Sequence, residues 1–285
     1  MQAEPASRKI MKRRRPWIRG VVQGLFFALV AGAMLRAYLA EQGLAVPWLP
    51  SGSLHALCPF GGVVSLYSVL TTGTLVQKIH SSSLILMFGS LGLAVLAGPV
   101  VCGWVCPFGT FQEWLAKLGR RLLGKRYGRI LPRGVDRWLR LLRYVLLALV
   151  IYNTAASARL VFQAVDPYFA LFNFWTGEVA LAAYAILGLT ILLSMVVERP
   201  WCRYACPYGA FLGLSNRIRL FRLKRKEATC IHCSACDKAC PMGIPVSQRD
   251  AVRDLSCISC LKCTSEEACP VPDTVVLEAG RSEGA

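Results

Sequence analysis

Four long apolar stretches, separated by polar and basic segments, organise the N-terminal part of the chain. They run from about Trp17 to Ala40, Leu84 to Val101, Leu139 to Ala156 and Val179 to Val197. Each approaches the ~20 residues that a helix needs to cross a hydrocarbon core of ~30 Å. Because almost no charge falls inside them, the pattern predicts four transmembrane helices and not the core helices of a soluble protein.

The density of Lys and Arg alternates along the chain. Residues 1–19 carry seven, 41–83 one, 102–143 ten, 157–178 one and 199–285 thirteen. By the positive-inside rule, this alternation predicts that both termini are cytoplasmic. We expect the membrane to be a bacterial inner membrane. The basic ends of the spans would also attract anionic lipid.

The composition agrees with this topology. Hydrophobic residues make up 55% of the chain, yet 33 Lys and Arg against 16 Asp and Glu give a net charge of +17. A chain this apolar is not a disordered polymer. Long uncharged runs separate the basic clusters, which argues against nucleic-acid binding. We therefore interpret the positive charge mainly as a topology signal.

The expected fold is an all-α polytopic membrane protein with a small α+β domain at its C-terminal end. We place a basic cytoplasmic segment at 1–16 and a four-helix membrane domain at 17–200. A cysteine element and basic connector follow at 201–226, then a small cysteine-rich domain at 227–276 and a flexible tail at 277–285.

The segment between Phe108 and Arg129 has an amphipathic pattern. Its apolar residues recur at three- and four-residue spacing, with basic residues on the other face. The apolar set is Phe108, Phe111, Leu115, Leu118 and Leu122, and the basic set is Lys117, Arg120 and Arg121. This pattern predicts a helix lying on the membrane surface.

The most specific chemical signal is a set of eight closely spaced cysteines near the C-terminus. The first four, Cys230, Cys233, Cys236 and Cys240, have the spacing C-x2-C-x2-C-x3-C and precede Pro241. The second four, Cys257, Cys260, Cys263 and Cys269, have the spacing C-x2-C-x2-C-x5-C and precede Pro270. Zinc sites normally use two pairs of cysteines instead of such triplets, and disulfides are disfavoured in a reducing cytoplasm.

This pattern resembles a bacterial two-cluster ferredoxin. In such proteins three close cysteines bind one cluster and the fourth ligates the other cluster. The resemblance implies that Cys230, Cys233, Cys236 and Cys269 bind a first [4Fe–4S] cluster. It likewise implies that Cys257, Cys260, Cys263 and Cys240 bind a second. Two such clusters indicate one-electron transfer.

A second cysteine pattern repeats at a period of 100 residues. Cys102 and Cys106 flank three residues and precede Pro107, and Cys202 and Cys206 do the same before Pro207. Proline suits the first position of a helix, so Cys106 and Cys206 are expected to cap helices. Three interpretations stay open: a third metal site shared by all four thiolates, a redox-active dithiol or transient metal site, and cysteines that pack a turn. A partial copy at Cys58 falls on the outer side.

Together, the four spans, the two Cys-x3-Cys-Pro motifs and the ferredoxin tail resemble the NapH/NosR-type family of membrane iron–sulfur proteins. The resemblance covers about 14–276 and implies an electron-transfer subunit of a quinol dehydrogenase complex. Its implied partners are the quinone pool and a redox protein, such as a flavin-binding or cytochrome subunit. NosR-like proteins also carry a flavin domain, so any flavin is expected to come from a partner.

All twelve of these cysteines are expected on the cytoplasmic side, so a quinone or a partner must complete any route across the membrane. His55 and His80 in the outer loop are poor candidates for haem ligands. They could instead form an outer quinone site with Asp166, Tyr168 or Glu178, because ionisable residues at a membrane edge are often functional. Ordinary anchoring at the interface is the simpler interpretation.

Two other functions fit parts of the pattern. A metal-handling or oxidase-maturation factor could use the clusters to reduce a metal ion. A redox-sensing membrane regulator could respond to the state of the clusters. The electron-transfer interpretation accounts for the most residues.

Overall fold

The computed structural model describes residues 7–44, 48, 81–124, 127–128, 132–157, 161–175, 177 and 179–279. The described part is mostly helical, with a two-stranded sheet near its C-terminal end. His55, Cys58, His80 and Glu178 lie outside the described residues, so their predicted roles stay predictions.

The helices are α1 (Ser7–Glu41), α2 (Ser81–Ala97), α3 (Pro107–Leu123), α4 (Arg133–Ser157), α5 (Pro167–Phe172), α6 (Leu181–Ser194), α7 (Pro200–Tyr204), α8 (Pro207–Gly213) and α9 (Ala235–Ala239). A π-helical turn, Val101–Val105, precedes α3. The 3₁₀ turns are Val161–Val165, Leu214–Arg217, Glu227–Thr229, Val246–Gln248 and Lys262–Thr264. The strands are β1 (Phe221–Arg225) and β2 (Val275–Ala279).

Helices α1, α2, α4 and α6 coincide with the four apolar stretches of the sequence. Within the described ranges, one segment, Trp17–Glu41 of α1, is long and apolar enough to cross a membrane by length and composition. The apolar helical segments Ile85–Ala97 and Leu181–Ser194 are shorter. The four-span topology therefore stays a prediction.

Helix α1 contacts other parts of the protein at successive points along its length. In its first half, Arg19 donates a hydrogen bond to the carbonyl of Gly103 at 3.0 Å. In its middle, the ring of Phe27 lies 5.8 Å from that of Phe172. Further on, the ring of Tyr38 lies 5.7 Å from that of Trp175.

The segment 161–175, predicted to be part of an outer loop, returns toward the first cysteine motif. The ring of Tyr168 lies 6.3 Å from that of Phe108, and the ring of Phe162 lies 6.4 Å from that of Trp201. The physical reason is burial of the apolar face of α5, whose Phe169 and Phe172 belong to the core shared with α1 and α6. Asp166 and Tyr168 therefore lie near the cysteine motifs, whereas the sequence placed them at an outer edge.

The C-terminal domain closes through an antiparallel pair of strands. In this pair Phe221 faces Ala279, Leu223 faces Leu277 and Arg225 faces Val275. Strand β1 therefore belongs to the domain although the sequence placed it in the connector. Residues 277–279, predicted to be a flexible tail, form the end of β2 because their backbone pairs with β1.

Helix α3 bears out the helix predicted after Phe108, but it also packs one face against the protein, which the amphipathic pattern did not indicate. Leu118 and Leu122 are exposed, whereas Gln112, Glu113 and Gly119 are buried. The face of α3 that packs against the protein therefore combines Phe108 with polar and small residues, and Leu118 and Leu122 point outward.

We expect Gly119→Ala to destabilise the protein by about 1–3 kcal/mol, the usual cost of overpacking a tight contact. A Cβ at position 119 would overlap the carbonyl oxygen of Met195 and lie 2.7 Å from its carbonyl carbon. Helix propensity alone would favour alanine. Thermal unfolding in detergent measures the change.

Gly188→Ala in α6 is the matched control, because an added Cβ there meets nothing within 4 Å. It should be neutral or slightly stabilising. Equal melting temperatures for the two variants would contradict the close packing of α3 against Met195.

Candidate iron–sulfur centres

The two Cys-x3-Cys-Pro motifs have similar local structures. Cys106 is the N-cap of α3 and Cys206 is the N-cap of α8, each with proline in the first turn. The Cys206 thiol accepts a hydrogen bond from the amide of Gly209 at 3.3 Å. The preceding cysteines lie in the π-helical turn (Cys102) and in α7 (Cys202). Each motif thus places one thiol at a helix start and the other one turn before it.

Tertiary packing brings the two motifs together. Gln112, which follows the first motif on α3, donates a hydrogen bond to the thiol of Cys202 at 3.4 Å. Its side-chain oxygen accepts from the amide of Trp201 at 3.1 Å. This fully buried glutamine therefore ties the first motif to the second.

The four thiols are also close enough to affect one another electrostatically. Burial raises the pKa of Cys102, and the neighbouring Cys106 and Cys202 raise it further. Burial and the other three thiols raise the pKa of Cys206. Burial raises the pKa of Cys202 to about 11, against the opposing effect of Arg199. Four thiolates here would repel one another and would need a cation among them.

Arg199 is a cation that acts on three of these thiols, those of Cys102, Cys106 and Cys202. Its side chain is fully buried, and its backbone has the left-handed φ of 53°. Its Nη1 donates to the carbonyl oxygen of Cys102 at 2.5 Å. Its guanidinium packs against Gly109, where an added Cβ would lie 2.9 Å from Cζ.

Glu113 lies at the centre of a buried ion network. Its carboxylate pairs with Arg19, with Arg199 at 2.8 Å and with Lys262 at 3.5 Å. Burial alone would raise its pKa, but these three cations hold the pKa of Glu113 well below its usual range. Lys262 also pairs with Glu198 at 2.6 Å.

The first cysteine motif contacts a cysteine loop of the C-terminal domain directly. An added Cβ on Gly103 would overlap the carbonyl oxygen of Ile258 and lie 3.2 Å from Cα of Cys260. The indole of Trp104 donates to the carbonyl of Ser259 at 3.1 Å. Glycine at position 103 is therefore what lets the two backbones touch.

The two cysteine loops of the tail share an unusual backbone. His232 and Ser234 in the first loop, and Ser259 and Leu261 in the second, all have positive φ, from 48° to 58°. Non-glycine residues rarely adopt this conformation, so the surrounding structure must impose it. Left-handed residues are a component of backbone nests, in which successive amides form a concavity that favours anions.

Four of the tail cysteines surround one apolar cavity. Cys240, Cys257, Cys260 and Cys263 line it, among apolar neighbours such as Met242 and Ile244. Burial raises the pKa of Cys240 to about 12, with Cys260 and Cys257 raising it further. This group is the one that the sequence assigned to the second cluster.

The other tail cysteines are spread from the core to the surface. Cys236 and Cys269 are buried in the same apolar core as Cys257. Cys230 is half-buried beside Arg225, whose pKa the Cys230 thiol raises. Cys233 is exposed. The ligation of one cluster by Cys230, Cys233, Cys236 and Cys269 stays a prediction.

Within the described residues, no three His, Cys, Asp or Glu side chains converge on a single metal ion. A cubane cluster instead takes one thiolate at each of its four irons. The cavity lined by thiols and the left-handed residues of the two loops fit such an anionic group. Buried arginines near the thiols also fit it, because Arg219 donates to the Cys257 thiol at 3.6 Å.

Several residues of these sites were missed by sequence reasoning. Arg19, Arg199 and Arg219 were counted as topology charges, although all three are buried. Gln112 and Glu113 carried no recognisable motif. The one available signal was a carboxylate placed seven residues after Cys106, on a helix expected to lie at a basic surface.

Comparisons with known proteins agree with this geometry. A family described as a 4Fe–4S binding domain matches residues 79–126 and again 179–226, one match for each Cys-x3-Cys-Pro motif. A family described as a 4Fe–4S dicluster domain matches residues 222–274. No solved structure matches the chain.

Three relatives show how far the similarity extends. YccM of Escherichia coli K12 is 31% identical over 261 residues, which cover 90% of this chain and 71% of YccM. The ferredoxin-type protein NapH of the same organism is 26% identical over 82% of this chain and 84% of NapH. The regulatory protein NosR of Pseudomonas aeruginosa is 26% identical over 82% of this chain, but only 33% of NosR is covered.

The matches and the cysteine geometry define a ferredoxin-type iron–sulfur protein with an electron-transfer role. The chain belongs to the NapH/NosR-type family of 4Fe–4S proteins, which confirms the resemblance inferred from the sequence.

We expect Gly103→Ala to loosen the contact between the first cysteine motif and the second cysteine loop, because no space exists there for a Cβ. Limited proteolysis of the folded protein in detergent should cut the segment 214–220, which joins α8 to β1, faster in this variant. Gly92→Ala in α2, where an added Cβ meets nothing within 4 Å, should leave the cleavage rate unchanged. Equal rates for both variants would contradict a tight junction at Gly103.

Proposed function

We propose that this protein is a membrane-bound relay that passes electrons between the quinone pool and a redox partner protein. In this proposal Cys230, Cys233, Cys236 and Cys269 hold one [4Fe–4S] cluster, and Cys257, Cys260, Cys263 and Cys240 hold a second. When bound, each cluster supplies one-electron transfer. The protein lies in the cytoplasmic membrane with four spans, and its termini and ferredoxin domain are cytoplasmic.

We further infer that Cys102, Cys106, Cys202 and Cys206 hold a third iron–sulfur cluster, shared by the two motifs. The mutual effect of the four thiols on their pKa values supports this site. The matching of both motifs to one 4Fe–4S binding family supports the choice of metal.

The observation that carries the relay is the contact of Gly103 with Ile258 and Cys260. It brings the backbone of the first motif to within van der Waals distance of a proposed cluster loop. Electron tunnelling weakens steeply with distance, so direct contact between two cysteine loops favours transfer between them. At the opposite loop, exposed Cys233 offers an exit to a soluble partner, such as a flavin-binding or cytochrome subunit.

Asp166, in the segment 161–175, supports a quinone reaction near the four-cysteine site. Asp166 caps α5 by accepting a hydrogen bond from the amide of Tyr168 at 3.0 Å. It lies close enough to Cys106 to influence the pKa of that thiol. Oxidation of a quinol releases protons as well as electrons, and a buried carboxylate beside the electron acceptor can receive them.

The iron content tests the third cluster. Wild-type protein should contain about twelve irons per chain, four for each cubane. Cys102→Ser and Cys202→Ser should each lower the content to about eight, because the shared site loses one of its four thiolates. Cys58→Ser is the cysteine control and should leave the content unchanged. About eight irons in wild type and in all three variants would contradict the third cluster.

Reduction by quinol tests the relay. Membranes containing the protein should develop cluster EPR signals when a short-chain quinol is added. Asp166→Asn should slow this reduction at least about tenfold while leaving reduction by dithionite unchanged, because asparagine still caps the helix but accepts no proton. Clusters that dithionite reduces and quinol does not would overturn the quinone step.

A further inference from the structure

Arg199 has a buried donor for which the described residues provide no acceptor. Its Nη1 is bonded to the carbonyl of Cys102, and its Nε pairs with Glu113. Its Nη2 is buried and has no hydrogen-bond partner among the residues that the structure describes. Buried donors are nearly always paired, so this N–H indicates a group that belongs beside the cysteine motifs.

The surroundings of Arg199 point to a sulfur acceptor. Its charge acts on the thiols of Cys202 and Cys106 in the four-cysteine site, and on Cys260 in the adjacent loop. The guanidinium packs on Gly109 in the first turn of α3, where Cys106 is the N-cap. Arg199 therefore lies between the two sets of thiols.

Comparison of the two copies shows that Arg199 belongs to the second copy alone. The position equivalent to Arg199 in the first copy is Pro99, and the position equivalent to Glu113 in the second copy is Gly213. One copy supplies the cation and the other supplies the carboxylate that pairs with it. The ion pair between Arg199 and Glu113 is therefore formed by residues in which the two copies of the repeat differ.

We propose that Arg199 is a positioning residue that sets the reduction potential of the four-cysteine cluster, with Glu113 limiting its effect. This inference rests on the third cluster of the proposed function. A guanidinium stays charged at all accessible pH values, and a nearby cation with a free N–H donor stabilises the more negative, reduced state of a cluster. Arg199 thus makes the four-cysteine cluster a better acceptor than its thiolates alone would allow.

The test is a potentiometric EPR titration of the full chain in detergent, with the four-cysteine signal assigned by its absence in Cys102→Ser. Arg199→Gln should lower the ratio of reduced to oxidised cluster at a fixed potential about tenfold, which corresponds to about 59 mV for one electron. Glu113→Gln should raise the ratio, because Arg199 is then less neutralised. Arg121→Gln, which removes the same charge from the exposed side of α3, should leave it unchanged.

The predicted shifts in reduction potential have opposite signs in Arg199→Gln and Glu113→Gln. If the two residues had only a structural role, both variants would shift the potential in the same direction or leave it unchanged. Unshifted potentials, or shifts of one sign, with about twelve irons retained would overturn the role of Arg199 and leave the third cluster standing. A wild type with about eight irons and no signal that Cys102→Ser removes would overturn the third cluster itself. If Arg199→Gln loses iron, the test depends on Glu113→Gln alone. An unchanged or lowered ratio of reduced to oxidised cluster in Glu113→Gln would then contradict the proposal.

Discussion

The buried ion network around Glu113 is the interaction on which the rest of the structure depends. One carboxylate joins Arg19 of α1, Arg199 of the second motif and Lys262 of the C-terminal domain. Its partners come from distant parts of the sequence and meet only in the folded protein. Removing one partner of a buried pair typically costs about 3–5 kcal/mol, so this network locks the helical part to the ferredoxin domain.

Arg199 of this network also compensates the negative charge that the neighbouring cysteines would carry as thiolates. Thiolates gathered in a dry site repel each other, and burial raises the pKa of each one. Buried arginines counter that repulsion, and Arg219 does so again at Cys257. A large positive charge is therefore needed inside the protein as well as at its surface.

The two copies of the cysteine motif contribute different residues to the shared site. Both copies place a cysteine at a helix start, but only one follows it with Gln112 and Glu113, and only the other carries Arg199. Gln112 reaches across to Cys202, so the halves are complementary instead of identical. The junction at Gly103 then brings this combined site against the second cysteine loop.

The sequence by itself determined the helical class, the ferredoxin pattern and the family, because cysteine spacing and apolar run length are local properties of the chain. It also placed Cys106 and Cys206 at helix starts, since the following proline fixes the backbone there. Only the tertiary structure decided which thiols meet, that the segment around Asp166 returns to the first motif, and that residues 277–279 form a strand.

The tertiary structure also decided which basic residues are buried among the cysteine motifs. Composition shows that Arg19 and Arg199 are basic, but a charge count is the same whether a side chain faces water or a thiolate. Whether such a cation marks membrane topology or compensates a buried anion depends on long-range packing, which no local pattern in the chain specifies.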